Sequence, residues 1–472
     1  MLFRSAPVPK RADPVLTAAQ MRAAEQALID AGTSVDELMQ RAGRGAAEWV
    51  WRMAAGQGVT VLCGPGNNGG DGYVIAEALR TRGGAVTVVA AAEPATAAAR
   101  TARGLYRGEV LGADAAPHAE VLVDCLFGTG LTRPLADEHF ALLNRFAGSH
   151  RQRVAIDLPS GVDSDSGATL NQGLPTFDLT VALGAWKRAH FLMPAAAMMG
   201  SVRLVSIGLP DTVDASRAIV RPGLSAPSAN AHKYSRGLLG VIGGAMPGAA
   251  VLAARAAQHA GAGYVKLLGE GGNVPAELVH DARPLAESLA DPRFNALLIG
   301  PGLGRDGEAR EALTLALAEQ KPTIADADAL MLLAPRILAE HEAPLILTPH
   351  EGELKALERA FGCSGEGSKA DRALALAGAA RAVVVAKGPD TLVAAPDGRL
   401  AFAHRASSWL STAGTGDVLA GTIASRLASG VEGFEAACEG VWLHAEAAHL
   451  AGPAFTASDL ADAIKAAYAA CL

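Results

Sequence analysis

VTVLCGPGNNGGDGYVIAEALRTRG, from Val59 to Gly83, reads as a β-strand, a glycine-rich turn and a helix. The turn packs five glycines, two asparagines and an aspartate between Gly64 and Val74. Free backbone amides at such a helix start can hold an anion. The stretch is not GxGxxG in its usual register, and it lacks the lysine of a P-loop. A glycine-rich left-handed turn with no ligand would account for the glycines equally well. Asn67, Asn68 and Asp71 add side-chain oxygens, hard ligands that suit a cation as well as a sugar or phosphate.

Two helices precede this stretch, and the strand-and-helix pattern recurs after it. Upstream, Leu16 to Gly32 reads as a helix that Thr17 can cap and Gly32 can end, and SVDELMQRAGRGAAEWVWRMA reads as a second. Downstream, AVTVVAA, EVLVDCLFG, RVAIDLPSG, LTVALG and SVRLVSIG alternate with glycine turns or helical patterns. Apolar strands separated by helices predict a parallel sheet covered on both faces. The pattern pauses from Asp211 to Ser235, a polar stretch with two prolines. It then restarts with GLLGVIGGA, GYVKLLG, ALLIGPGLG, PTIADADAL, PLILTPHEGE and AVVVAKGPDTLVAA. The expectation is an α/β protein of two three-layer domains, residues 1–215 and 228–472, joined by a linker over 216–227. The halves share no internal register, which argues against duplication.

Composition agrees with two buried cores. The chain has 472 residues, half of them hydrophobic and 19% charged, which excludes global disorder. A formal net charge of −7 offers no basic surplus for a nucleic-acid or anionic-membrane partner. The five cysteines are odd in number and show no CxxC spacing, and three in apolar surroundings read as reduced core thiols. No signal-peptide pattern and no run of about 18 apolar residues is present, so a soluble, cytoplasmic protein is expected.

Two more strand ends resemble the first loop. LVDCLFGTGLTRPL sets Asp124 at a strand's carboxyl end, and AIDLPSGVDSDSG sets Asp157 and Ser160 in the same topological place. Ligands of open α/β sheets bind outside the carboxyl ends of the strands, so three acidic, glycine-bearing ends converge on one crevice. GPGNNGGDG, DCLFGTGL and IDLPSGVDSDSG together resemble the NAD(P)H-hydrate epimerase family over roughly residues 1–215. The resemblance implies a Rossmann-like domain that interconverts the R and S forms of nicotinamide cofactor hydrated at C6. It implies K⁺ bound by Asn68, Asp124 and Ser160. It also implies hydrate contacts from Asn67, Asn68, Gly69, Gly70 and Asp71, from Gly128, Thr129, Gly130, Leu131, Thr132, Arg133 and Pro134, and from Asp157. Epimerising a carbinol carbon beside nitrogen needs a group that moves protons, and Asp157 is assigned that role.

The second half carries its own glycine loop, STAGTGDVLAG, with Gly414 and Gly416 ahead of Asp417 at a helix start. Amides there would form an anion hole beside a carboxylate, although an aspartate at a helix start is most often an N-cap. The loop resembles the ribokinase-like fold. With IGPGLG, ADADAL, TPHEGE and AKGPDT it is similar to the NAD(P)H-hydrate dehydratase branch of that fold, over Ser228 to Leu472. That resemblance implies an adenine nucleotide, with ADP expected ahead of ATP, that drives removal of water from the S hydrate with Mg²⁺ present. Lys387, Gly388, Pro389, Asp390, Thr391 and Gly416 would bind the nucleotide, and Ala249, Gly302, His350 and Asp417 the hydrate. Asp417 would be the catalytic base.

Asp326 and Asp328 could orient Mg²⁺ or phosphate, or could be structural caps. Two departures from the family pattern stand out: GGAMPGA is a shorter loop than usual, which bears on Ala249, and Glu351 replaces a proline beside His350. The fusion is expected to act on NADHX and NADPHX as a homo-oligomer without nucleic-acid or membrane partners. The rival readings are a vitamin or sugar kinase with a regulatory domain, and a non-enzymatic scaffold. The first-half motifs oppose the kinase, and the retained Asp157 opposes the scaffold.

Overall fold

The computed structural model describes residues 12–212 and 214–472, which fall into two compact units, Asp13–Ser216 and Arg217–Leu472. The N-terminal unit is built on seven strands: β1 (Val59–Cys63), β2 (Val86–Ala90), β3 (Val110–Leu111), β4 (Val121–Cys125), β5 (Gln152–Ile156), β6 (Leu179–Leu183) and β7 (Ser201–Val205). Their order is β3-β2-β1-β4-β5-β6-β7, and every pairing is parallel. β1 and β4 are buried throughout, as a sheet with both faces covered requires. Alternation divides their side chains. Val61, Cys63, Val123 and Val154 pack with helices Val35–Ala54 and Asn67–Thr81, whereas Leu62, Leu122 and Ala155 pack with Leu143 and Phe146 of helix Asp137–Ser149. The order reverses between β1 and β4, which makes the gap above their carboxyl ends the switch point where α/β sheets hold ligands.

Gly64, Gly69, Gly70 and Gly72 of the first loop serve close packing, Gly66 stands in open space, and none of the five has positive φ. Gly66 is the N-cap, so Asn67 already begins the helix. A Cβ on Gly64 would lie 1.9 Å from the Leu126 carbonyl oxygen, and one on Gly69 would lie 1.9 Å from the Gly64 carbonyl oxygen. The left-handed turn anticipated as one reading is therefore absent. Upstream, Thr17 caps helix Ala18–Asp30 in a capping box with Gln20, as expected.

In the C-terminal unit the strands are β8 (Ser216–Ala218), β9 (Leu238–Ile242), β10 (Tyr264–Leu268), β11 (Val279–Asp281), β12 (Ala296–Ile299), β13 (Thr323–Ala325), β14 (Leu345–Leu347), β15 (Val383–Ala386), β16 (Leu392–Ala394) and β17 (Leu400–Phe402). They lie in the order β11-β10-β9-β12-β13-β14-β15-β16-β17-β8. Pairing is parallel from β11 to β15, antiparallel through β16 and β17, and parallel again from β17 to β8. AVVVAKGPDTLVAA, read as one run in the sequence, is two strands around the Lys387 turn. The segment read as linker opens with β8, whose Ala218 pairs with Phe402.

Helices Pro247–His259 and Thr415–Ala428 cross tightly over one face. All five cysteines are free thiols; Cys63, Cys125, Cys438 and Cys471 are buried. No helix among the described residues is long and apolar enough to cross a membrane.

Gly421 sits where those two helices meet, and a Cβ there would lie 2.0 Å from the Ala253 carbonyl oxygen. Gly421→Ala is therefore expected to destabilise the protein by about 1–3 kcal/mol in denaturant unfolding, despite alanine's better helix propensity.

Candidate active sites

In the N-terminal unit a cavity of about 530 Å³ opens at the sheet's switch point. Asp157 follows β5 with φ of 67°, a left-handed conformation unusual for a non-glycine residue. The surrounding structure fixes it on every side. Its N–H donates to the Val181 carbonyl at 2.7 Å, and its own carbonyl accepts from His190 Nε2 at 2.8 Å. Oδ2 accepts from the Thr129 amide at 2.9 Å and hydroxyl at 2.6 Å. Oδ1 accepts from Lys187 Nζ at 2.5 Å and from the Leu183 amide at 3.3 Å. Burial pushes the Asp157 carboxyl up, but the Lys187 ammonium and the Thr129 donors outweigh it and hold the group at about 2. Asp157 is an anion at neutral pH.

Two other carboxyls line the same cavity and behave in the opposite way. Burial, then the charges of Asp157 and Glu25, raise Asp71 well above the usual carboxylate range, with Lys187 opposing. Glu25, on helix Ala18–Asp30, is raised by burial, with Lys187 opposing. Asn67, Asn68, Gly128, Thr129, Gly130 and Leu131 also line the cavity. Gly69, Gly70, Thr132, Arg133 and Pro134 do not, and the last three are exposed.

Asp124 and Ser160 stand away from the lining. The Asp124 carboxylate accepts from the Ser160 hydroxyl at 2.7 Å, the Ser160 amide at 2.9 Å and the Leu126 amide at 3.1 Å. Burial lifts it to about 6 against those donors. Asn68 has both side-chain polar atoms buried without a partner. An orphaned buried amide is costly unless a ligand satisfies it, and its oxygen suits a hard cation.

The C-terminal unit gathers its predicted residues at the carboxyl ends of β9 and β12 to β15. Asp326, just past β13, is 1% exposed and accepts from Lys387 Nζ at 2.7 Å and Thr348 Oγ1 at 2.6 Å. Asp328 accepts from the Gly304 amide at 3.0 Å and Arg305 Nε at 2.7 Å, so it ties the loop after β12. Gly302 in that loop accepts from the Met246 amide at 2.8 Å, which brings it beside the helix turn bearing Ala249. The Lys387–Thr391 turn is clamped from outside: Lys369 Nζ donates to the Lys387 carbonyl at 3.1 Å and to Asp390 Oδ1 at 2.5 Å.

Asp417 is not a cap. Gly414, with φ of 87°, occupies the N-cap position, and the Asp417 side chain makes no hydrogen bond among the described residues. Burial, then the Asp326 charge, raises its carboxyl to about 7, against the pull of Lys387. His350 does act as a cap. Its Nδ1 accepts from the Gly352 and Glu353 amides at 3.0 and 3.2 Å, which leaves an exposed ring whose Nε2 lies 3.4 Å from Glu353. Glu353 in turn lies 3.9 Å from Lys387.

Sequence reasoning missed the supporting shell. Lys187 is 1% exposed and bonded to Asp157 and the Leu183 carbonyl; its only signal was a lysine in the apolar run LTVALGAWK. Glu25 and Lys369 lie on other elements, far along the chain from the residues they serve, and give no local signal, whereas Thr348 and Glu353 stand at the two ends of TPHEGE and were given no role. His444 likewise holds the start of helix Thr415–Ala428, its Nε2 donating to the Thr415 carbonyl at 2.9 Å.

Comparison with known proteins matches residues 239–469 to the NAD(P)H-hydrate dehydratase family and residues 35–189 to the family described as YjeF-related protein N-terminus. The bifunctional NAD(P)H-hydrate repair enzyme Nnr of Salinibacter ruber is 34% identical, with 96% of this chain and 95% of that protein covered. The protein of the same name from Gloeobacter violaceus is 35% identical, covering 91% of this chain and 92% of its own. Among solved structures, the ADP/ATP-dependent NAD(P)H-hydrate dehydratase of Bacillus subtilis co-crystallized with ATP/Mg²⁺ is 29% identical at a TM-score of 0.46, covering 53% of this chain and 95% of that one.

Removing one partner of a buried ion pair strands the other charge. Lys187→Met is expected to cost about 3–5 kcal/mol in denaturant unfolding, and the double variant with Asp157→Asn to recover much of that loss. Asp157 has a depressed folded pKa, so its stabilisation is present above the unfolded carboxylate value and fades as pH falls toward about 2. Acid titration of wild type against the double variant checks that sign.

Proposed function

The chain belongs to the family of bifunctional NAD(P)H-hydrate repair enzymes, and on that premise we propose that each unit houses one of two successive repair steps. The N-terminal unit interconverts the R and S hydrates of NADH and NADPH. The C-terminal unit removes water from the S hydrate and restores the reduced cofactor, with ADP as the phosphoryl donor. The observation that carries this reading is Asp417: a carboxylate at a helix start that caps nothing, beside a Lys387–Asp326 pair.

In the C-terminal unit Asp417 takes the proton from the hydroxyl of the hydrate as that oxygen attacks the terminal phosphoryl group. The first-turn amides of helix Thr415–Ala428 face the phosphate charge, and Lys387 supplies a cation next to Gly416, where a Cβ would lie 3.5 Å from Nζ. The ring-nitrogen lone pair then expels phosphate from C6, and loss of a proton from C5 of the resulting iminium to solvent restores the reduced ring. Among the described residues no cluster of three or more His, Cys, Asp or Glu could hold a metal. Asp326 and Asp328 fit a magnesium that arrives with the nucleotide, since Mg²⁺ typically takes one or two carboxylates plus phosphate oxygens. Bound there, it would neutralise charge on the transferring group.

In the N-terminal unit Asp157 moves a proton on the oxygen attached to C6, and Thr129 and Lys187 keep it aimed and ionised. The orphaned amide of Asn68, with Asp124 and Ser160, fits a potassium ion. Held there, the cation would supply positive charge beside Asn68, which lines the cavity.

Chemically hydrated NADH with ADP, followed at the reduced-nicotinamide absorbance, tests the whole reading. Recovery of both epimers supports it, and a phosphorylated vitamin or sugar product would favour a kinase instead. Asp417→Asn is expected to slow dehydration by about 10³ while epimerisation persists, and Asp157→Asn to do the reverse. An ionised Asp417 is the active form and its pKa is raised, so kcat/KM for dehydration should climb as pH passes about 7, and this limb should vanish in Asp417→Asn. Replacing potassium with tetramethylammonium at constant ionic strength should lower epimerisation and spare dehydration of pure S hydrate.

A further inference from the structure

The cavity of the N-terminal unit contains a carboxyl group that the single-acid account of Asp157 leaves idle. Asp71 is 8% exposed and lines the same cavity, and its side chain makes no hydrogen bond or ion pair among the described residues. Asp157, equally buried in the same lining, differs in its partners: donors occupy both of its oxygens. An unpartnered, nearly buried carboxyl that faces an open cavity is waiting for a ligand group.

Inverting the carbinol carbon poses a geometric demand. If hydroxyl leaves one face of the ring and water adds to the other, protons must be delivered on one side and collected on the other, beyond the reach of one fixed carboxylate. Resting on the epimerase reading above, we propose that Asp71 is a second catalytic residue of this site, giving its proton to the departing hydroxyl while Asp157 takes one from the incoming water. The C6–O bond breaks as the ring-nitrogen lone pair forms the C=N⁺ bond, and the hydroxyl leaves as water with the proton of Asp71. A new water then adds to the opposite face, its electrons closing C6–O as the C=N⁺ pair returns to nitrogen and its proton passes to Asp157. Nothing is oxidised or reduced; solvent exchange returns each carboxyl to its starting state.

The environment suits that division. Burial and the charges of Asp157 and Glu25 favour a proton on Asp71, while Lys187 keeps Asp157 without one. Two carboxyls whose surroundings drive their protonation apart are the pattern of an acid–base pair.

Oxygen tracing on the full chain tests this directly. R hydrate incubated with wild type in H₂¹⁸O without nucleotide should yield S hydrate carrying one ¹⁸O per inversion, after subtraction of the spontaneous reaction. Retention of the original oxygen would mean inversion through ring opening and would overturn the proposal. Asp71→Asn, which preserves size, should lower kcat about 10²–10⁴-fold in both directions with little change in KM and an unchanged unfolding midpoint. A raised KM with normal kcat would reduce Asp71 to a binding contact, and a kcat loss confined to Glu25→Gln would move the acid to Glu25; either result overturns the assignment. Absence of any inversion by wild type would instead sink the epimerase reading, a distinct result.

Discussion

A carboxylate that is 7% exposed stays ionised only if something replaces its water, and for Asp157 that something is Lys187. The ammonium is itself 1% exposed and divides its protons between Asp157 and the Leu183 carbonyl. Neither member of the pair is tenable alone. Their meeting depends on the turn after β6, which presents Lys187 to the carboxylate and, three residues later, His190 to the Asp157 carbonyl. His190 accepts the Lys187 amide at Nδ1, so Nε2 carries the proton that it donates. Burial and Lys187 depress its pKa to about 4 and keep the ring neutral. The left-handed backbone of Asp157 persists because these bonds over-determine it.

The second unit solves a different problem with similar parts. Asp417 too is a carboxylate at the carboxyl edge of a parallel sheet, yet no donor among the described residues reaches it. Burial and Asp326 therefore raise it to about 7, where a carboxylate becomes an effective base near neutral pH. Lys387, which could have paired with it, is committed to Asp326. One unit holds its acidic group charged and restrained, and the other leaves its acidic group weakly acidic and free to accept.

Much of this was legible as local pattern. Val59–Cys63, Val121–Cys125 and Leu238–Ile242 are strands because runs of apolar and β-branched residues buried on both faces have no other stable arrangement in an α/β sheet. Thr17 could be read as a cap because its partner Gln20 is three residues away. Shorter strands such as Val279–Asp281 were missed, since an edge strand of three largely exposed residues leaves no periodic trace. The glycines of the first loop were visible but their reason was not: the carbonyl that forbids a Cβ at Gly64 belongs to Leu126, sixty-two positions away.

The sequence by itself determined the two α/β units and marked the strand end that carries Asp157 and the helix start that carries Asp417, because these follow from periodicity and from motifs contiguous in the chain. Only the tertiary structure decided their states. It brought Lys187 and Thr129 to Asp157, turned His350 into a helix cap and, among the described residues, gave no donor to the Asp417 carboxylate and no partner to the side chains of Asn68 and Asp71. The physical reason is that protonation and orientation depend on burial and on charges within a few ångströms. Those neighbours come from elements dozens of residues apart, and only the folded sheet brings them together.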